Sequence, residues 1–543
     1  MSGTFKRIFS RRDLFHRGGI IGAFAALPGV AQSAPSAPPT TAGKLQLGPD
    51  IYKSLGVRPL INCRGTFTIV SGSLELPEVR AAQEAAARHF VQLDELMDAV
   101  GRRLAEITGA ESGMVSAGCA AGIAHATTAC VTGGDPDLHT RVPDLTGFPK
   151  DEVIIPKHSR NEYDQAVRSV GVRVIEVGDP AEYEAALGPK VAMVYVLAGP
   201  GAENDALNYD VLYSLAKKRN IPVFTDAAAE MLSIPNVHLQ RGATIVGYSG
   251  GKCLRGPQSA GIILGRKDLI KAAWVSSAPH HGHGRSMKVG KEEIMGMLAA
   301  VEIWVKRDHD AEDRMWTSWM NNIASRVSTV QGVNATVRQP RGLDNHSPGL
   351  SITWDPEKLG ITGEEVAKIL DTTEPRIVLA GGGGGRGRAA ADNQTGVSIT
   401  AYMMQPGEDK IVGDRLHQVL SEAKPKTSEP PATPATDLTG RWDVHIEFAA
   451  GSADHTFYIR QQEHKIGGAH EGDFITRDLA GSIAGDNVTI ASNIGEVHGA
   501  AISYRFNGKV LGDSISGDLN MGEYLGAKWN AKRHVSGGRG QRG

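Results

Sequence analysis

The chain has 543 residues, enough for three or four domains, and its 41% hydrophobic and 22% charged content is that of an ordinary globular protein. A formal net charge of −2 excludes a strongly basic chain dedicated to nucleic acid, so no nucleic-acid partner is expected. The four cysteines, Cys63, Cys119, Cys130 and Cys253, show no metal-ligand spacing; they read as small buried hydrophobes, and no metal site is expected.

Residues 1–34 read as a twin-arginine signal peptide. Arg11 and Arg12 follow Ser10, an apolar run covers 18–30, and Ala31-Gln32-Ser33-Ala34 supplies a small-residue cleavage site. The run is shorter than the about 20 residues a membrane span needs, so no stable membrane insertion is expected and the destination is periplasmic or secreted. Residues 35–50 form a linker. Residues 51–311 alternate apolar strands with helical periodicity, the pattern of an α/β domain with a mostly parallel sheet. A helical pattern runs through 77–108. Strands are predicted at 113–115, 152–155, 172–177, 191–197, 221–225, 244–248 and 261–264, and a long helix at 292–309. Residues 312–422 read as a smaller α+β domain with strands near 350–354 and 397–403. Residues 423–438 are a Pro/Thr-rich linker. Residues 439–535 carry short alternating runs punctuated by Gly, Asn and Asp, the mark of an antiparallel sandwich or small barrel. Residues 536–543 read as a disordered tail.

The chemistry is concentrated at predicted strand ends. Asp226 closes one strand, and Ser249-Gly250-Gly251-Lys252 closes the next. A lysine amine that can bind an aldehyde, near a carboxylate that can hold a proton on a ring nitrogen, is what pyridoxal 5'-phosphate (PLP) requires. Ser116-Ala117-Gly118-Cys119-Ala120-Ala121-Gly122 follows a strand and opens a helix. Ser116, Gly118, Cys119 and Ala120 there are the expected seat of the cofactor's phosphate, with Ser249 as a further donor. Small Ala228 would let the ring lie flat, and Glu230 either bonds nearby or is a first-turn acid. His158 is a candidate for ring stacking or proton transfer, weighed nearly equally against a loop histidine bonded to backbone, and Arg160 for holding a substrate carboxylate. The run from His280 to Lys291 looks metal-binding but is rich in glycine. It reads better as a loop presenting Arg285 and Lys288 to an anionic substrate or to a neighbouring subunit's cofactor. The glycine run 381–385 has no nucleotide-loop spacing and reads as a loop near the site entrance.

From about Tyr52 to Met404 the chain resembles the selenocysteine synthase relatives among fold-type I PLP enzymes, above all the branch of D-glucosaminate-6-phosphate ammonia-lyase. The resemblance rests on Thr108-Gly109-Ala110-Glu111, Ser116 to Gly122, Asp226 to Glu230, Ser249-Gly250-Gly251-Lys252 with Gly256-Pro257-Gln258, and Met287 to Glu292. It implies a large PLP-binding domain with a small α+β domain, Lys252 as the lysine that carries PLP, and Asp226 as the partner of the ring nitrogen. It also implies a homodimer or higher homo-oligomer. The expected activity is that of a lyase on a small amino acid or amino-sugar acid: Cα deprotonation, β-elimination and ammonia release. A racemase or epimerase shares the first step, and a selenocysteine synthase-like transferase belongs to the same group. An exported binding protein that uses only its β domain is a further alternative, against which the pair Lys252 and Asp226 speaks. The export signal and the β-rich tail are departures from the group; they leave the substrate open and weigh against a tRNA-bound one.

Overall fold

The computed structural model describes residues 43–381, 394–425, 431–493 and 504–535. The expected signal peptide, half of the first linker, the glycine run beyond Gly381, part of the second linker and the tail 536–543 lie outside the described residues. Residues up to Pro59 are a unit of their own, in which Ile51–Ser54 forms a single helical turn.

Within the unit from Leu60 onward, β1 (Ile61–Asn62) is a short strand considered below. The large sheet contains β2 (Ser112–Ser116), β3 (Glu152–Pro156), β4 (Arg173–Val177), β5 (Val191–Leu197), β6 (Val223–Asp226), β7 (Ile245–Ser249) and β8 (Gly261–Gly265). Their order is β2-β8-β7-β6-β5-β3-β4, and all neighbours run parallel except β8, which is antiparallel to β2 and to β7. Each predicted strand is present to within two residues at either end. The central strands are buried on both faces: Val191 to Val196 have no exposure, as a sheet covered by helices on both sides requires.

Two predicted helices are divided. The pattern at 77–108 is two helices, Pro77–Ala87 and Leu93–Thr108. Met97, Val100 and Leu104 of the second are buried, whereas Phe90 lies fully exposed between the two, so the apolar spacing ran across a break. Gln92 starts the second helix by accepting from the Glu95 N–H, and Gly109 ends it at φ +73°. The expected helix at 292–309 is Lys291–Trp304. A new helix, His309–Val327, begins where the Asp308 side chain accepts from the Ala311 N–H.

The smaller domain has a sheet of β9 (Asn334–Arg338), β10 (Gly349–Trp354), β12 (Ala380–Gly381) and β13 (Thr395–Thr400), in the order β12-β13-β10-β9. Beside it β11 (Ile377–Val378) pairs in parallel with β1, and this carries Cys63 into the small domain's core with Ile352, Trp354 and Leu416.

The C-terminal region settles the choice between sandwich and barrel. Its strands β14 (Gly440–Glu447), β15 (Ser452–Gln462), β16 (Lys465–Glu471), β17 (Thr476–Ala484), β18 (Asn487–Asn493), β19 (Tyr504–Leu511), β20 (Ser514–Asn520) and β21 (Gly526–Arg533) form a closed antiparallel barrel, with β14 paired to β21. Closure leaves no free edge. Alternate residues point inward, and Trp442, Phe457, Phe506 and Trp529 fill the interior. The two indoles donate to the Leu438 and Asn507 carbonyls, which satisfies their buried N–H groups.

Candidate active site

The C-terminal ends of the parallel strands are where an open α/β sheet presents ligand-binding residues. There the structure has a cavity of about 1260 Å³, lined by Gly118, Cys119, Ala120, Asp226, Ala228, Ser249 and Lys252 on the large-domain side. Arg64, Arg338, Arg341, Asn345 and Ser347 line it as well. Residues spread over 134 positions of the sequence, from Gly118 to Lys252, thus meet in one space.

Asp226 is the last residue of β6 and is 2% exposed. A buried carboxylate needs partners. Its Oδ2 accepts from the Tyr195 hydroxyl at 2.7 Å, and its Oδ1 accepts from the Ala228 N–H at 3.1 Å and from the Cys119 thiol at 3.6 Å. Tyr195, on the neighbouring β5, accepts in turn from Asn161 Nδ2 at 3.1 Å. Asn161 is held by the Ser159 carbonyl and the Tyr163 N–H. Burial pushes the Tyr195 phenol and the Cys119 thiol well above their usual ranges, and the Asp226 charge adds to both shifts. Both therefore remain protonated donors to Asp226.

Lys252 sits in the turn that leaves β7. Its Nζ lies 5.9 Å from the centre of the Tyr163 ring, and Tyr163, half exposed on a 3-10 turn, is part of the cavity wall. The helix Gly118–Thr132 begins at the cavity with no side-chain cap, so its first N–H groups are left for a ligand. Gly118 has φ +83°, which favours glycine. Gly261 on β8 lets the helix start approach: a Cβ there would meet the Cys119 nitrogen at 2.6 Å and the Tyr248 carbonyl oxygen at 2.8 Å. The Ser116 hydroxyl, by contrast, is fully buried and donates to the Gly118 carbonyl, so it shapes the loop from beneath instead of facing the cavity.

Four other predicted residues lie elsewhere. His158 is half-buried with both ring nitrogens engaged, Nε2 with the Leu207 carbonyl and Nδ1 with the Ser159 hydroxyl, and it is not part of the cavity wall. Its backbone-bonded alternative is the one observed. Arg160 is 8% exposed and pairs with Asp164 at 2.6 Å and Glu176 at 2.5 Å, which commits its guanidinium to the fold. Arg285 and Lys288 are exposed on the loop after the helix Lys267–Ser276 and do not line this cavity. Glu230 lines it and is bonded to His238 Nε2 at 2.6 Å. Tyr195, Asn161 and Tyr163 were not singled out from the sequence. One signal was available for Tyr195: a phenol within an otherwise apolar strand needs a polar partner when buried. Arg64 and Arg341 carry no local signal, because only the packing of the small domain brings them here.

The profile of the family described as SelA, L-seryl-tRNA selenium transferase, matches residues 166–331. D-glucosaminate-6-phosphate ammonia lyase of Salmonella typhimurium is 32% identical over 384 residues, covering 69% of this chain and 99% of the relative. The 5'-C-glycyluridine monooxygenase-decarboxylase of a Streptomyces species is 31% identical, over 60% of this chain and 83% of that protein. L-seryl-tRNA(Sec) selenium transferase of Moorella thermoacetica is 24% identical, over 47% and 58%. Among solved structures, D-glucosaminate-6-phosphate ammonia-lyase superposes with a TM-score of 0.60 at 28% identity, covering 69% of this chain and all of the other.

Proposed function

We propose that this chain, which belongs to the selenocysteine synthase-like family of PLP-dependent enzymes that includes D-glucosaminate-6-phosphate ammonia lyase, is itself a PLP-dependent lyase acting on a small amino acid or amino-sugar acid. The observation that carries the reading is the meeting of Lys252, a buried and triply bonded Asp226 and an uncapped helix start in one cavity. These groups fit PLP by chemistry: an amine for its aldehyde, an acceptor for its ring N–H and backbone donors for its phosphate. When bound, PLP supplies an electron sink that makes loss of a Cα proton accessible.

The chain's own residues do the rest. Cys119 and Ala120, at the start of their helix, hold the phosphate through backbone N–H groups. Asp226 keeps the ring nitrogen protonated, and Tyr195 and Asn161 fix the carboxylate. Lys252 would hold the cofactor's aldehyde through its amine, and its Nζ is the base for the Cα proton. Tyr163, whose ring centre lies 5.9 Å from Lys252 Nζ, would stack beside the cofactor's ring, one of the two roles for which His158 is a candidate from the sequence. Arg64 and Arg341, which line the cavity, would bind the substrate's acid groups. The Cα proton passes to Lys252 Nζ, the Cβ substituent leaves with its bonding pair and takes up that proton, and the enamine so formed adds water to give a keto compound and ammonia. Assembly as a homo-oligomer, and export of the chain by the segment 1–34, belong to the same proposal. Borohydride reduction of protein saturated with PLP should fix a pyridoxyl group on the peptide carrying Lys252, and Lys252→Ala should abolish it. Incubation with D- and L-amino acids and amino-sugar acids should release equimolar ammonia and keto product. A reduced adduct at another lysine, or racemisation without ammonia, would overturn this reading.

A further inference from the structure

Lys252 stands on a turn that does not hold its own shape. Its carbonyl accepts from the Arg255 N–H at 3.0 Å, and Arg255 takes φ +52°, a left-handed backbone at a residue with a Cβ. Such a conformation is unfavourable and persists only where the surroundings enforce it. The turn also leaves one of its own acceptors open: among the described residues no backbone N–H reaches the Cys253 carbonyl. That carbonyl accepts instead from Arg307 Nη1 at 2.8 Å, 54 positions further along the chain. The Cys253 thiol, donating to the Glu230 carbonyl at 3.1 Å, and Arg255 Nε, donating to the Leu74 carbonyl at 2.9 Å, are the side-chain ties that the turn itself supplies.

Arg307 is itself held firmly. It lies between the helices Lys291–Trp304 and His309–Val327, where the chain crosses from the core of the large domain to that of the small one. Its side chain is 10% exposed, and its Nε and Nη2 form a fork with the two oxygens of Glu312, at 3.0 and 2.9 Å. That fork occupies one edge of the guanidinium and leaves Nη1 for the turn. The guanidinium carbon lies 4.9 Å from the centre of the Trp304 ring. The Trp304 indole donates to the Leu232 carbonyl at 2.7 Å, and His309 bonds both the Trp304 carbonyl and Glu312. A buried ion pair is by itself a weak source of stability. What this pair supplies is a directed donor, since a planar fork fixed along one edge loses little freedom in aiming its remaining N–H groups.

We propose that Arg307 is a positioning residue for Lys252: it fixes the Cys253 carbonyl, and with it the backbone from which the lysine amine reaches the cofactor and the Cα proton. Glu312 orients the guanidinium from behind. The inference rests on Lys252 being the lysine that binds PLP. Without the guanidinium the half-buried Cys253 carbonyl loses its donor, and the turn relaxes toward another. A displacement of about 1 Å at a reacting group lowers a rate by about 100-fold. Because Arg307 lies on the crossing between the domains, the same bond ties the lysine's position to that crossing.

The test uses the full-length chain saturated with PLP. Each variant is examined by borohydride reduction and mapping of the pyridoxyl peptide, by pH titration of the cofactor's absorbance, by steady-state ammonia release and by a urea melt. The absorbance titration needs no substrate. Arg307→Met should lower kcat by roughly 10- to 100-fold with KM changed by no more than about threefold. It should also move the midpoint of the absorbance titration by at least about half a pH unit, because the amine has left its surroundings. Arg307→Lys keeps a charge and a donor and should recover part of the loss. Glu312→Gln leaves the arginine in place with a weaker fork; it should show the same changes on a smaller scale, and it decides the question if Arg307→Met does not fold. A merely structural role would lower the urea midpoint and leave the absorbance titration and the kcat of the folded chain as they are. That result, with the adduct still found at Lys252, overturns this inference and leaves the lyase reading intact. An unaltered chain without the adduct at Lys252 overturns both.

Discussion

Replacing Tyr195 by Phe removes one hydroxyl and leaves the ring in place, stacked at 9° on Phe224. The lost group is the donor 2.7 Å from Asp226 Oδ2, inside the sheet, where water cannot substitute. A hydrogen bond to a charged group contributes about 1.5–3 kcal/mol. At about 1.4 kcal/mol per tenfold, the carboxylate's hold on the ring nitrogen should weaken by roughly 10- to 100-fold. Asn161 Nδ2 also loses one acceptor but keeps the Ser159 carbonyl. We therefore expect Tyr195→Phe to lower kcat/KM for ammonia release by roughly 10- to 100-fold, with KM changed less than kcat. A shifted pH dependence of the cofactor absorbance should accompany it, because Tyr195 acts through Asp226 and touches no substrate. The assay is steady-state ammonia release with absorbance titration of the same samples. If Tyr195→Phe stayed within twofold of the parent in kcat/KM and titrated identically, Asp226 would not be the ring's partner in the manner described.

Gly261→Ala should push the start of the helix Gly118–Thr132 away from β8, since its Cβ would collide with backbone atoms of Gly118 and Cys119. Equilibrium dialysis should show at least a tenfold loss of PLP affinity. Arg160→Met should destabilise the fold by about 1.5–3 kcal/mol, because the fully buried Asp164 loses one of its two arginine partners and keeps only Arg168 at 2.9 Å, while KM of the folded fraction stays unchanged. Denaturant melts with parallel kinetics separate this from the substrate-binding role first expected of Arg160. Burial lowers His470 to about 3, with help from His455 and Arg477, and lowers His125 to about 4, with help from His283. An unfolded histidine titrates near 6.5, so between that pH and about 4 the unfolded chain binds more protons than the folded one. Stability is then full above about pH 6.5 and falls as pH drops, by on the order of 3 kcal/mol for each imidazole. Urea midpoints measured from pH 7 to pH 4 should decline, and His470→Gln should flatten the decline. A midpoint that rises on acidification would contradict this sign.

Much of this protein was legible along the chain. The central strands of the large sheet stood out because strands buried on both faces are continuous apolar runs bounded by turns. Asp226 and Lys252 stood out because each ends such a run. The barrel's strands appeared through their alternation, yet alternation alone describes a sandwich as well as it describes a barrel. Only the pairing of β14 with β21 decides between them. The failures share a cause. Periodicity at 77–108 continued through a break because Phe90 fell on the helical spacing by coincidence. His158 and Arg160 had the right residue types next to the right strand, but a side chain's direction depends on which neighbour offers it a bond.

The sequence by itself marked the residues on which the proposed chemistry rests, since a lysine and an aspartate at successive strand ends are local features that survive without coordinates. Tertiary structure alone decided which side chains serve them. Tyr195 reaches Asp226 through strand pairing, and Arg64 and Arg341 arrive only when the small domain packs. Each of these is a relation between distant segments, and hydrophobic burial and sheet register, acting over the whole chain, bring those segments together.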